Sequence, residues 1–251
     1  MNSRTHAVIP QRGVRMTQEP TATIAPVYVW EFPVRLSHWL IVLSIFVLSF
    51  TGYSLGRPFI SVPGEAKDHF ATGTMRAVHF YAATVFGVAV IMRLYWMVFS
   101  RNRFASWRQF IPVTARRWKK FWHVLRFYLF LSHDSPMTVG HNPLAGLTYT
   151  FVFALYVMMM LTGLGIYAPE THLGSPLRLL GFLAPMFGGL QTARWLHHIG
   201  MWMLLGFFVH HLASALLVSR LERNGILDSI FSGWKYLNVS AYYQDQKDQH
   251  K

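Results

Sequence analysis

The chain has 251 residues, 53% of them hydrophobic and 13% charged, and a formal net charge of +13. Soluble domains carry nearer a quarter charged residues; here a mean hydropathy of +0.28 and long uncharged runs argue for an integral membrane protein over a soluble enzyme. Cysteine is absent, which excludes disulfides, iron–sulfur clusters held by this chain and covalent c-type haem, and leaves His, Met or oxygen as ligands for any cofactor.

Residues 1–30 contain no apolar core of signal-peptide length and read as a flexible N-terminal tail. The first apolar run, Leu36 to Tyr53, is uncharged and carries His38 near its start. The second, Ala77 to Phe99, carries His79 near its start and is interrupted by Arg93. In the basic loop that follows, Lys119 to Leu131 mixes basic and aromatic residues; it is too short to span and is expected to lie in the membrane interface. The third run is Leu144 to Ala168, after which Ser175 to Leu190 is expected to lie in the opposite interface. The fourth, Trp195 to Val218, is uncharged and holds His197, His198, His210 and His211. Residues 221–251 read as a C-terminal tail. At about 1.5 Å per residue each run can cross a hydrocarbon core about 30 Å thick, the first with help from its flanks. The expected fold is all-α: an integral membrane four-helix bundle over residues 31–220, with short interfacial helices in its loops.

Four spans put both termini on one side, and Lys and Arg mark that side as cytoplasmic. Arg4, Arg12, Arg15 and Arg35 precede the first span, eight basic residues lie between Arg101 and Arg126, and Arg220, Arg223, Lys235, Lys247 and Lys251 follow the fourth. The opposite loops carry Arg57, Lys67 and Arg178. Topology and contact with anionic lipid thus account for the positive charge, and a nucleic-acid partner is not expected.

Ionisable side chains inside spans are rare and point to function. His197 and His211 are fourteen residues apart, so they differ by about 40° around a helix and share one face, about 21 Å apart along the axis. His197 and His210, His198 and His211, and His198 and His210 diverge by about 120–140°. His79 enters at the depth of His197 and His38 at that of His211, giving two bis-histidine stations at different depths. Such stations suit two b-type haems, whose iron takes two axial imidazoles and whose apolar ring fits a bundle core. Zinc would want three or four ligands at one depth, and a proton relay would ordinarily include Asp or Glu, which the spans lack. A cofactor-free membrane anchor or small transporter is the alternative from another class. His198 and His210 read as structural. Arg35 and Arg76 each lie three residues before a proposed ligand, one helical neighbour away, and could pair with haem propionates.

The motifs around these residues form a recognisable set. Tyr28-Val29-Trp30-Glu31-Phe32-Pro33-Val34-Arg35-Leu36-Ser37-His38-Trp39-Leu40 is followed by Thr51-Gly52-Tyr53, by Gly56-Arg57-Pro58 with Gly64-Glu65-Ala66, and by Arg76-Ala77-Val78-His79-Phe80. Gly140-His141-Asn142-Pro143 and His197-His198-Ile199-Gly200-Met201-Trp202 complete it. From about residue 28 to 220 the chain resembles the cytochrome b subunit of membrane-bound nickel–iron hydrogenases. The resemblance implies a bacterial cytoplasmic-membrane protein with His38, His79, His197 and His211 as haem ligands. It implies an electron-transfer and anchor subunit, not a hydrogenase in itself. Its partners would be the iron–sulfur small subunit and the large subunit of a periplasmic hydrogenase, and quinone its electron acceptor. Related cytochromes serve formate dehydrogenases, which leaves that partner open. By similarity to the formate dehydrogenase cytochrome, Asn142 would contact the quinone carbonyl and His141 would carry a proton; an ordinary helix-starting turn at Asn142-Pro143 is the competing reading.

Overall fold

Apolar stretches without internal proline, far longer than a soluble core helix needs, fold here as four long helices. The computed structural model describes residues 24–59, 70–102, 104–107, 110–111, 115–129, 131–132, 143–222 and 224–239. Strand β1 (Ile24–Tyr28) leads into α1 (Phe32–Gly56), whose start is set by Pro33 in the first turn and by Glu31 in extended backbone. Helix α2 (Ala71–Phe99), α3 (Ala115–Tyr128) and α4 (Pro143–Tyr167) follow. Two short 3₁₀ turns (Ala168–Glu170 and Pro176–Phe182) and the single turn α5 (Leu183–Met186) lead to α6 (Leu190–Glu222), α7 (Ile226–Ser232) and β2 (Trp234–Asn238).

Four of these helices, α1, α2, α4 and α6, are long and apolar enough to cross a membrane. Each corresponds to one expected span; α1, α2 and α6 begin several residues before it, and α4 ends one residue short of Ala168, which opens a 3₁₀ turn. Their outward faces are apolar: Leu43, Val88, Ile91 and Val209 are all exposed. In water such a surface would be a liability; in lipid it is the expected exterior.

The four helices pair as two hairpins, α1 on α2 and α4 on α6, and the hairpins meet less extensively with one another. Where they do meet, Ile41, Phe86, Ala89, Val90, Val152, Leu155, Tyr156 and Leu204 form one buried apolar cluster. Helix α3 is amphipathic, burying Phe121 and Val124 while exposing Trp118 and Trp122, and packs beside α4. The 3₁₀ turn at Pro176–Phe182 and α5 also pack on α4.

The all-α expectation needs one addition. β1 and β2 pair antiparallel, with Ile24 opposite Asn238 and Tyr28 opposite Trp234. Residues 24–30 were expected in a flexible tail and 226–238 in another; instead they hold each other. Val29 and Trp30 donate backbone N–H bonds to the Gly233 carbonyl (2.8 and 3.2 Å), and the Trp30 indole donates to Ser229 (3.1 Å). Gly233 permits this: its φ is +90°, and a side chain there would press on the Trp30 carbonyl oxygen. The pairing places the segments before the first span and after the fourth at one end of the bundle. The segment after α2 joins them, since Asn102 donates to the Val29 carbonyl at 3.1 Å and Glu31 accepts from Trp96 and Ser100 at 2.6 Å each.

Candidate functional site

A step of fourteen residues returns a helix to nearly the same face, about 21 Å along. Two such strata are visible in the bundle. At one, His79 of α2 faces His197 of α6, with ring centres 6.4 Å apart and planes inclined by 60°. At the other, His38 of α1 faces His211 of α6, at 6.5 Å and 63°. Both pairs bridge the seam between the two hairpins, and the residues of the buried apolar cluster lie between them along every helix.

These separations test whether a cofactor fits. Two imidazole nitrogens, each about 2 Å from a shared metal ion, put their ring centres about 6 Å apart. Both pairs meet that condition across an apolar space between helices. Among the described residues no group of three or more His, Cys, Asp or Glu could hold a metal, so the donor set is two by two.

The surroundings of His79 and His197 are matched. Thr51 of α1 hydrogen-bonds the His79 Nδ1 at 2.8 Å, and Thr162 of α4 the His197 Nδ1 at 2.9 Å. Each threonine hydroxyl donates back along its own helix, to Val47 and Met158 at 2.7 Å each. The threonine oxygen therefore accepts from the imidazole Nδ1–H, which leaves Nε2 as the nitrogen free to bind a metal. The residue after each threonine is glycine. A methyl group on Gly52 would stand 3.2 Å from the His79 Cε1, and one on Gly163 3.2 Å from the His197 Cε1. Thr-Gly on one helix is thus a seat for the imidazole of the next.

The other stratum is built differently. Fourteen residues before Thr51-Gly52 stand Ser37 and His38, and fourteen before Thr162-Gly163 stand Thr148 and Tyr149. The Tyr149 hydroxyl lies 3.4 Å from the His211 Nδ1, and Phe207 stacks on the His211 ring at 5.4 Å. Trp39 meets His38 edge-on at 5.3 Å. On α2 the residue fourteen after His79 is Arg93, buried, with Nη1 donating to the Ala105 carbonyl at 3.4 Å. Its guanidinium sits over the rings of Phe110 (5.6 Å) and Phe153 (5.8 Å).

The four expected ligands are therefore brought together in the expected pairs. Arg35 is half-buried; it bonds the Phe231 carbonyl through Nη1, while its Nε is buried without a hydrogen-bond partner and would suit an anionic group. Arg76 is exposed in the second turn of α2. His198 packs toward Gly56 and His210 is exposed, away from both pairs. His141 and Asn142 lie outside the described residues. The sequence reading did not single out Thr162, Tyr149 or the position of Arg93. A fourteen-residue step from His79 along α2 reaches Arg93, but α4 carries no histidine from which the same step could reach Thr162 or Tyr149.

Half-buried imidazole pairs facing one another inside an apolar bundle, in a chain with no thiol, belong to the chemistry of membrane b-type cytochromes. Comparison with known proteins agrees with that class. Residues 29–233 match the family model for prokaryotic cytochrome b561, and the chain belongs to that family. It is 38% identical over 221 residues to a probable Ni/Fe-hydrogenase B-type cytochrome subunit of Azotobacter chroococcum, covering 87% of this chain and 92% of the relative. It is 36% identical to the protein of that name in Cupriavidus necator (85% and 88% covered). With the probable Ni/Fe-hydrogenase 1 B-type cytochrome subunit of Escherichia coli K12 the identity is 33% (87% and 94% covered).

Proposed function

We propose that this chain is the dihaem cytochrome b subunit of a membrane-bound nickel–iron hydrogenase, anchoring the periplasmic heterodimer and carrying electrons from its iron–sulfur clusters across the membrane to quinone. The observation that carries this reading is the matched separation of two histidine pairs, 6.4 and 6.5 Å, one fourteen-residue step apart on α6. Haem bound at each pair supplies one-electron chemistry. His79 and His197 hold the outer group, and His38 and His211 the inner one. Thr51 and Thr162 orient the outer imidazoles and fix their tautomer; the Tyr149 hydroxyl is the polar neighbour of the His211 Nδ1. The apolar layer between the stations keeps water out. Arg35 and Arg76 offer charge to the propionates.

The similarity to hydrogenase cytochrome subunits supports the hydrogenase small and large subunits as partners over those of a formate dehydrogenase. Membership in a cytochrome family weighs against a cofactor-free anchor or transporter. The distribution of Lys and Arg supports a multi-pass protein of the bacterial inner membrane with its termini in the cytoplasm. On the same reading α3 and the Pro176–Met186 segment lie in opposite interfaces, and the unit that holds both haems is residues 31–220. Quinone would meet the inner end, where His141 and Asn142 directly precede α4 in the chain: Asn142 contacting a carbonyl oxygen, His141 carrying a proton from the cytoplasm.

The protein purified from membranes should give a reduced b-type spectrum with two haems per chain, and His211→Ala should retain at most one. A wild-type chain without haem, or a variant that keeps both, would overturn the reading. Reduction of these haems by hydrogen in native membranes tests the partner; reduction by formate alone would overturn the hydrogenase assignment.

A further inference from the structure

Between the two stations, along all four membrane-crossing helices, there is one charged side chain, Arg93 at the inner stratum. It is 7% exposed and held over two aromatic rings. A guanidinium keeps its charge even when buried. On α2 it takes the position that a second histidine would occupy if that helix repeated the pattern of α6. α1, which carries His38, is the hairpin partner of α2, which carries Arg93.

We infer that Arg93 makes the inner His38–His211 station electropositive, so that the group held there accepts an electron more readily than the one held by His79 and His197, which directs electrons inward. The inference rests on the two-haem reading above. Of the other cations near the stations, none is as fully buried as Arg93, and the one at the inner stratum would add to the same asymmetry in smaller measure. Arg76 and Arg194 at the outer stratum are exposed, and Arg35 at the inner one is only half-buried; solvent and salt screen such charges. Glu31 is the opposing charge within reach of Arg93. It is engaged by Trp96 and Ser100 and so held at the same end. Glu31 weakens the field of Arg93 without cancelling it, because the carboxylate sits at the end of α1 and the guanidinium inside the bundle. A unit charge about 10 Å from a site of effective dielectric about 20 shifts a one-electron equilibrium on the order of tenfold, which is about 59 mV.

The test is a redox titration of the purified holoprotein, with haem content measured on the same samples. His211→Ala identifies the inner component by its absence. Arg93→Gln should keep two haems and lower the inner midpoint by an amount on the order of tenfold in the equilibrium, leaving the outer midpoint in place. Arg93→Lys should keep the wild-type value, and Glu31→Gln should move the inner midpoint upward. Two haems with unmoved midpoints in Arg93→Gln, or an equal drop in Arg93→Lys, would overturn the inference while sparing the two-haem reading. Should Arg93→Gln yield no holoprotein, Glu31→Gln decides, and an unmoved inner midpoint there counts against the inference. Fewer than two haems in the wild type would remove the reading itself.

Discussion

Replacing Thr162 by Val keeps a β-branched side chain and removes one hydroxyl, the one that meets the His197 Nδ1 at 2.9 Å. The Met158 carbonyl, which also loses that hydroxyl, still has its helical N–H partner. The change is therefore centred on the imidazole, whose Nδ1–H loses the threonine oxygen as acceptor in an apolar site. An ordinary neutral hydrogen bond contributes about 1 kcal/mol net, but loss of the partner that orients a metal-bound imidazole costs about 10–100-fold in metal affinity. That corresponds to about 1.4–2.8 kcal/mol, all of it at the outer station. Thr51→Val should act alike through His79. Thr84 makes the same backward bond along its helix, to Phe80 at 3.0 Å, but is exposed, so Thr84→Val is the control. The assay is transfer of haem to excess apomyoglobin, followed at the Soret band. Wild type should lose its two haems slowly; Thr162→Val should lose one of them faster by a factor within that range. Transfer at the wild-type rate from Thr162→Val, or equal acceleration by Thr84→Val, would refute the reasoning.

Gly52→Ala places a methyl 3.2 Å from the His79 Cε1, so the ring must shift by a few tenths of an ångström. Alanine favours a helix over glycine by about 1 kcal/mol, so thermal unfolding in detergent should not fall while outer-station haem affinity drops about tenfold; undiminished haem affinity would show that the seat is not tight. Gly233→Ala forces a side chain into φ +90° and against the Trp30 carbonyl, at a cost of about 1–3 kcal/mol. Hydrogen exchange across residues 24–28 and 234–238 should quicken with both haems retained, and unchanged exchange would mean that the ribbon does not depend on this turn.

The four spans were legible because lipid imposes a simple rule, a long apolar run with almost no charge, and α1, α2, α4 and α6 each contain one. The histidine pairs were legible because a helix converts spacing into direction, and His197 and His211 share a face at fourteen residues. The β1–β2 ribbon was not legible. Ile24–Tyr28 and Trp234–Asn238 are short, each includes residues common in loops, and they pair across more than two hundred residues of sequence, so no local period announces them. Thr162 was missed for another reason. A threonine in an apolar helix ordinarily bonds back to its own backbone, as Thr162 does with Met158. That it also accepts from an imidazole depends on which helix lies opposite, and a single chain's periodicity carries no such information.

The two strata differ in a way that follows from their donors. The outer one is symmetric: each hairpin contributes one histidine and seats it with Thr-Gly from its own other helix, α1 for His79 and α4 for His197. The inner one cannot repeat this, because His38 stands on α1 at the position that Gly52 takes in the outer stratum, and α2 then has no histidine to give. That freed position on α2 is filled by Arg93, and the position on α4 matching Gly163 by Tyr149, whose hydroxyl reaches His211. Moving one histidine from α2 to α1 thus opens room for a buried charge at one stratum and not at the other. Only α6 contributes to both pairs, so its fourteen-residue step alone fixes their separation at about 21 Å, and the asymmetry between the stations is written on the three helices around it.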